Sequence, residues 1–159
     1  MAEDQRVSLH KPPAGGEYFV FRDPIYNIID LMDEQEGHLI RAVLDTREMQ
    51  RLRRITQNGL SAFVYPGLEA TRFPHSLGSY YIAKKIIRSL QERQPSEAEG
   101  FPTSLRITDR DCVAFPLAAL LHDIGHGPLS HAWEELFHSH PHFKSHEQMG
   151  LKIIESRET

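Results

Sequence analysis

The run "LAALLHDIGHGPLSHAWEEL", residues 117–136, constrains this chain more than any other stretch. Leu117 to Leu121 are apolar enough to call for an interior helix, yet His122, Asp123, His126 and His131 follow at once. Imidazole and carboxylate are costly to bury unless each finds a partner, so four such groups beside an apolar helix call for a common one. A bound metal ion supplies it. His122 and Asp123 fall at the C-terminal end of the helix, where a neutral imidazole nitrogen and a carboxylate oxygen can both reach an ion placed beyond that end. Gly125 and Gly127 keep the backbone thin around it.

Ten of the 159 residues are histidine, and six of those lie between 122 and 142, with His146 next. Cys112 is the single cysteine, which excludes an internal disulfide and a cysteine zinc finger. It reads as a buried thiol in a reducing compartment. Mixed nitrogen and oxygen ligands suit Mn, Fe, Zn, Ni or Mg better than a thiolate-selected metal. His75, in "TRFPHSLGSYY", stands just before a second amphipathic helix. Packing the two helices together would bring it to the same ion.

The remainder of the chain reads as one largely helical domain. Residues 1–16 are polar and end in "KPPAGG", a flexible lead-in excluded from the fold, which leaves 17–159 as the domain. "EYFVFRDPIYNIIDLM" places two short β-prone runs around Asp23-Pro24 and predicts a small hairpin. Apolar positions from Leu39 to Ile55 predict one broken helix or two short ones, and "NGLSAFVYPG" a turn with a brief extended stretch. Ser76–Arg93 is an amphipathic helix with Leu77, Tyr80, Tyr81, Ala83, Ile86, Ile87 and Leu90 on or near its inward stripe. Thr108 and Asp111 resemble a capping box that opens a helix running to Asp123, with Pro116 predicting a kink. Pro128 suits the first turn of a helix over 128–137, and Ser145 with Gln148 forms a second capping box.

Charge narrows the partners. A net charge of −4 argues against broad nucleic-acid binding by the whole surface. A local patch remains open in "REMQRLRR", where Arg47, Arg51, Arg53 and Arg54 read first as a solvated helix face and otherwise as a contact for nucleotide or RNA phosphates. No apolar run approaches the roughly 20 residues of a membrane span, and the first residues lack a signal-peptide core. An intracellular protein, cytoplasmic or nuclear and without membrane attachment, is expected.

"RFPHSLGSYYIA" and "LLHDIGHGPLSHAWE" resemble the metal-binding motifs of HD-domain phosphohydrolases, closest to the deoxynucleoside triphosphate triphosphohydrolase branch. "FRDPIYNIIDL", "VLDTREMQRLRRITQNG" and "SHEQMG" fall in the order that branch shows them. The resemblance implies a mostly α, HD-type helical bundle that uses a divalent metal to hydrolyse phosphate esters or anhydrides. It further implies a nucleotide substrate, a dNTP by preference, and a homo-oligomer. By position, His75, His122 and Asp123 would be metal ligands. His126 and His131 match a pair that binds phosphate and transfers protons, and Glu134 stands where relatives often carry an aspartate supporting that histidine. His146 matches a histidine lining the phosphate site, Arg72 an arginine near the substrate phosphates, and Gln57 a residue that meets the sugar. Asn58 departs from the usual leucine. Phe19 replaces the lysine that, with positions matching Asp45 and Arg53, contacts a regulatory guanine nucleotide in some oligomeric relatives.

Divalent ions neutralise phosphate charge and acidify water, and histidine exchanges protons near neutral pH, the combination that phosphate chemistry needs. The family pattern ends in a further aspartate, whereas no aspartate follows Asp123 in these 159 residues. The expectation is a partial, C-terminally truncated HD domain with weaker metal affinity, plausible loss of turnover, and apolar surface on its last helices that favours oligomers. An HD fragment that binds nucleotide or nucleic acid, or pairs with other subunits, without turnover is the alternative, and a structural metal site is the third. "HSHPH", 138–142, is expected to be a mobile loop with adventitious metal affinity.

Overall fold

A computed structural model describes residues 19–31, 34–95, 100, 102, 105–137, 139 and 145–156. The expected lead-in over 1–16 and the histidines of "HSHPH" lie outside the described residues. The chain begins with an antiparallel hairpin, β1 (Val20–Asp23) and β2 (Asn27–Asp30), in which Val20 faces Asp30 and Asp23 faces Asn27. Asp23 closes the turn by accepting from the backbone N–H groups of Ile25 and Tyr26 at 2.8 and 2.9 Å, and Asn27 takes the left-handed conformation at φ 62°. Asparagine tolerates that region better than a branched residue would.

Two short helices follow, α1 (Glu34–Leu44) and α2 (Arg47–Arg51), continued by a 3-10 turn over Leu52–Arg54. Thr46 caps α2 by accepting from Met49 N–H, which explains the restart read from Asp45-Thr46. The stretch expected to be extended after Asn58 is instead a 3-10 turn, Gly59–Phe63, entered through Gly59 at φ 52°. Glycine is needed at that entry, because a Cβ there would lie 2.7 Å from the Leu129 carbonyl oxygen.

Two longer helices carry the domain. Helix α3 (Arg72–Arg93) starts four residues earlier than the pattern implied, with Pro74 in its first turn where a missing N–H costs nothing. Helix α4 (Asp109–Leu121) opens on the Thr108–Asp111 capping box and runs through Pro116 without a break. The two pack against each other along Leu77, Tyr80, Ala83 and Ile87 of α3 and Cys112, Pro116 and Leu120 of α4. Ile86 and Leu90, expected inside, are exposed, because the 3.6-residue period turns them past the face that α4 covers. The apolar run of α4 is likewise only half inside, and Phe115 faces out. The core gathers Ile29 and Leu31 from the hairpin, Ile40 and Leu44 from α1, Met49, Leu52 and Ile55, then Phe73, Leu77, Tyr80, Leu120 and Ile124.

Helices α5 (His131–Phe137) and α6 (His146–Glu155) complete the described chain. Ser145 caps α6 by accepting from Gln148 N–H, and Leu151 and Ile154 lie exposed on it. The architecture is therefore mostly α with a two-stranded hairpin near its start. Among the described residues, no helix is long and apolar enough to cross a membrane.

Candidate metal centre and active site

Helix α4 ends where its chemistry begins. His122 terminates it, and its Nδ1 donates to the carbonyl of Ala119 at 2.7 Å, within its own last turn. That bond places the proton on Nδ1 and leaves the Nε2 lone pair available, the tautomer a metal-ligating histidine needs. Nε2 lies 3.3 Å from His75 Nε2, offered by the first turn of α3, and 3.2 Å from Asp123 Oδ1. His75 Nε2 is 3.6 Å from Asp123 Oδ2. Ligand atoms bonded to one ion at about 2.0–2.2 Å sit roughly 3–3.5 Å apart, so these three donors fit a shared divalent cation. Burial holds His75 below the ordinary imidazole range despite nearby Asp123, which favours the neutral ring that a cation would need.

Asp123 is nearly enclosed, and Arg72 explains how it remains ionised. Arg72 Nη1 donates to Oδ2 at 2.6 Å, while Nη2 donates to Ser130 Oγ at 2.5 Å and to the Gln57 carbonyl at 3.4 Å. Burial pushes the Asp123 carboxyl up, but the hydrogen bond from His126 and the charges of His122 and Arg72 outweigh it, so it lies well below the usual carboxylate range. The family resemblance suggests Arg72 as a contact for substrate phosphates. In this structure it is only 2% exposed, with its guanidinium engaged by Asp123 and Ser130.

The segment 128–130 differs from expectation for a related reason. Leu129 and Ser130 adopt φ 67° and 58°, left-handed values that no helix accepts, so α5 begins at His131 rather than at Pro128. This turn directs Ser130 Oγ onto Arg72. Arg51 of α2 supplies a second brace: Nη1 and Nη2 donate to the carbonyls of His126 and Ile124, at 2.9 and 2.5 Å. The two carbonyls flank Gly125, so one guanidinium grips both sides of the loop that carries the motif. Neither brace is visible in the sequence, where Arg51 belongs to a charge run and Ser130 to a turn. Contacts spanning 75 and 58 residues leave no local signal.

A second group of side chains adjoins the first. His126, only 1% exposed, presents Nε2 to Asp123 Oδ1 at 3.4 Å and Nδ1 to Glu134 Oε1 at 3.8 Å. His146 donates from Nδ1 to the same Glu134 oxygen at 2.5 Å, and His131 Nδ1 lies 3.6 Å from Oε2. The rings of His126 and His146 stack at 3.8 Å. Burial raises the Glu134 carboxyl, but the His146 hydrogen bond and neighbouring imidazoles prevail and hold it low, hence ionised. Gly125 makes this arrangement possible, because a Cβ there would fall 1.9 Å from the His146 carbonyl oxygen and 2.4 Å from Gly150 N. The structure thus brings all nine sequence-selected residues into one region. Gln57 is the outlying member: it lines an apolar cavity that also includes His75, Gly78 and Ile82.

Helices α3 and α4 bring His75 beside a His-Asp step at a helix end, and the HD domain family model matches residues 72–159. The chain belongs to the HD domain family. Among named proteins it is similar to the deoxynucleoside triphosphate triphosphohydrolase SAMHD1 of Gallus gallus, 42% identical over 118 residues, covering 74% of this chain and 17% of that protein. SAMHD1 of Homo sapiens is 37% identical over 139 residues, covering 86% of this chain and 20% of the relative. The Bacillus subtilis protein YwfO is 39% identical over 120 residues, 75% of this chain and 24% of that one. The chain spans about a fifth of the length of these curated relatives.

Proposed function

We propose that this chain is the metal-holding part of a phosphohydrolase acting on nucleotides, with a deoxynucleoside triphosphate cleaved to deoxynucleoside and triphosphate as the leading reaction. One observation carries the reading: a three-donor cation set, His75, His122 and Asp123, shares a wall with a cluster built for phosphate and proton handling, His126, His131, Glu134 and His146. The names of the SAMHD1 relatives supply the substrate class. A divalent ion, of Mn, Fe, Zn, Ni or Mg, held by the first set would supply Lewis-acid neutralisation of phosphate charge.

The protein groups have separable tasks. Asp123, kept ionised by Arg72 and His126, offers a carboxylate that burial alone would neutralise. Glu134 faces Nδ1 of His131 and so favours the tautomer whose Nε2 exchanges protons with a leaving oxygen. His131 is 70% exposed at its side chain and stands open to a ligand. His126 and His146, held by Asp123 and Glu134, form the wall of the cluster beside which a phosphate group would sit next to His131. Gln57 lines the cavity that also includes His75, where a sugar would sit. Exposed Leu151 and Ile154 on α6 support association of copies.

The test incubates metal-loaded protein with a panel of nucleotides and identifies products by mass. Triphosphate and deoxynucleoside are expected from dNTPs, and release no greater than that of a His122→Ala control would refute the assignment. A second reading, nucleotide or nucleic-acid binding without turnover, draws on the groove lined by Arg47, Arg51, Arg53 and Arg54. Saturable binding with no product, abolished by Arg47→Ala with Arg54→Ala, would favour it.

A further inference from the structure

We propose that two copies of this chain pair through an exposed, uncharged seam on helix α3, laid antiparallel against itself about a two-fold axis between Ile82 and Ile86. One face of α3 is already committed, with Leu77, Tyr80, Ala83 and Ile87 buried in the core. The exposed remainder divides into two stripes of opposite character. Lys85, Arg88 and Glu92 share the first, where Lys85 lies over the Tyr81 ring at 4.4 Å. The second runs through His75, Ser79, Ile82, Ile86, Ser89 and Arg93, and between its two end residues it carries no charge. Its steps alternate between four and three residues, the spacing that keeps a helical seam facing a second helix along its length.

The spacing is also the same in both directions. Reversed about the midpoint between Ile82 and Ile86, Ser79 falls on Ser89 and each isoleucine falls on the other. A two-fold interface needs a patch complementary to itself, and this stripe meets that condition, with isoleucines in the middle and a small serine on either side. The partner it fits is therefore a second α3.

Exposed area agrees. Ile82 and Ile86 are 37% and 48% exposed, and Phe115, Leu90 and Ile25 flank them at 48%, 53% and 79%. At about 200 Å² of accessible surface each, these five side chains leave about 500 Å² of apolar surface in water, the size that marks an interaction patch on a monomer. That is well over half of the roughly 800 Å² per partner that a specific interface buries. Ile25, Ile82, Ile86 and Phe115 line one groove, and α3 of the partner subunit laid there closes the cavity at the end away from Gln57. The register also sets Arg93 of the partner subunit level with His75. In the phosphohydrolase reading that guanidinium would face the substrate phosphates, whereas the pairing itself does not depend on turnover.

The full chain is followed by sedimentation equilibrium from about 1 to 100 µM, in EDTA so that histidines cannot bridge copies through metal. A monomer–dimer equilibrium is expected. Ile86→Lys sets like charges against each other across the axis and weakens it by about 100-fold, with circular dichroism unchanged because the position is exposed. Leu151→Glu with Ile154→Glu leaves the dimer intact, which separates this surface from α6. Ser79→Cys with Ser89→Cys reports the register. The two positions lie about 15 Å apart along one helix, too far for a disulfide within a copy, so a bond between 79 and 89 joins two copies. Should Ile86→Lys lose the fold, this cysteine pair carries the test. A chain still monomeric at the highest concentration would overturn the proposal, as would a dimer that survives Ile86→Lys or oxidation that joins position 79 only to 79.

Discussion

Gly125→Ala is the substitution by which the packing around the site is best judged. The added methyl would lie 1.9 Å from the His146 carbonyl oxygen and 2.4 Å from the Gly150 nitrogen, both backbone atoms of α6. A carbon needs about 3.3 Å from a carbonyl oxygen, so the start of α6 must retreat by roughly 1.4 Å. No side-chain rotation can relieve a contact with backbone, which places the cost near the upper end of the overpacking range, about 3 kcal/mol. For a chain of this size that corresponds to a melting temperature lower by roughly 6–12 °C. The same retreat pulls His146 away from Glu134 and separates the two stacked rings. Gly78→Ala is the matched control, since its methyl meets the edge of the Tyr26 ring at 2.9 Å and a ring can swing aside. Thermal unfolding followed by circular dichroism compares the two. A Gly125→Ala protein melting within a degree of the parent would refute the claim that α6 is seated directly on this loop.

Three further outcomes follow from the same contacts. Arg72→Met leaves the Asp123 carboxylate enclosed without its guanidinium, at a cost of about 3–5 kcal/mol in urea unfolding under chelator, and added Mn²⁺ should restore part of it; no loss would contradict the pairing. Arg51→Met removes two charge-assisted hydrogen bonds from a half-buried donor, about 2 kcal/mol, and should speed amide exchange at Ile124 to Gly127 more than in α3; uniform exchange would argue against a local brace. Metal-free stability should rise with pH in two windows. Asp123 and Glu134 have depressed folded pKa values, so their contribution is complete above the unfolded range of about 4 and is lost as pH falls. His75 and His126 are also depressed, by burial, so the unfolded chain takes up their protons first and stability declines again below about pH 6.5; melting points independent of pH between 5 and 7.5 would rule this out.

Helices and caps were legible because their signals are local. The Thr108–Asp111 box, the Leu77–Tyr80–Ala83–Ile87 stripe and the Asp23-Pro24 turn each occupy a few adjacent positions, and each forms where the pattern places it. Pro128 misleads because proline fixes only its own φ, while the left-handed Leu129 and Ser130 are imposed by contacts with Gly59 and Arg72 from elsewhere in the chain. Arg72 and Arg51 carry the same lesson. Motif position marks Arg72 while Arg51 reads as one of a charge run, and only packing shows that one holds Asp123 and the other holds the loop backbone. Ile86 and Leu90 lie at the edge of that stripe, and the width of the surface α4 covers leaves them outside the core.

The proposed chemistry requires His75, His122 and Asp123 to close on one cation. Anomalous diffraction from crystals of the chain grown with Mn²⁺ locates that ion directly. The predicted result is a manganese peak within about 2.0–2.3 Å of the Nε2 atoms of His75 and His122 and of a carboxylate oxygen of Asp123. Manganese bound elsewhere with those three side chains unliganded would contradict the account.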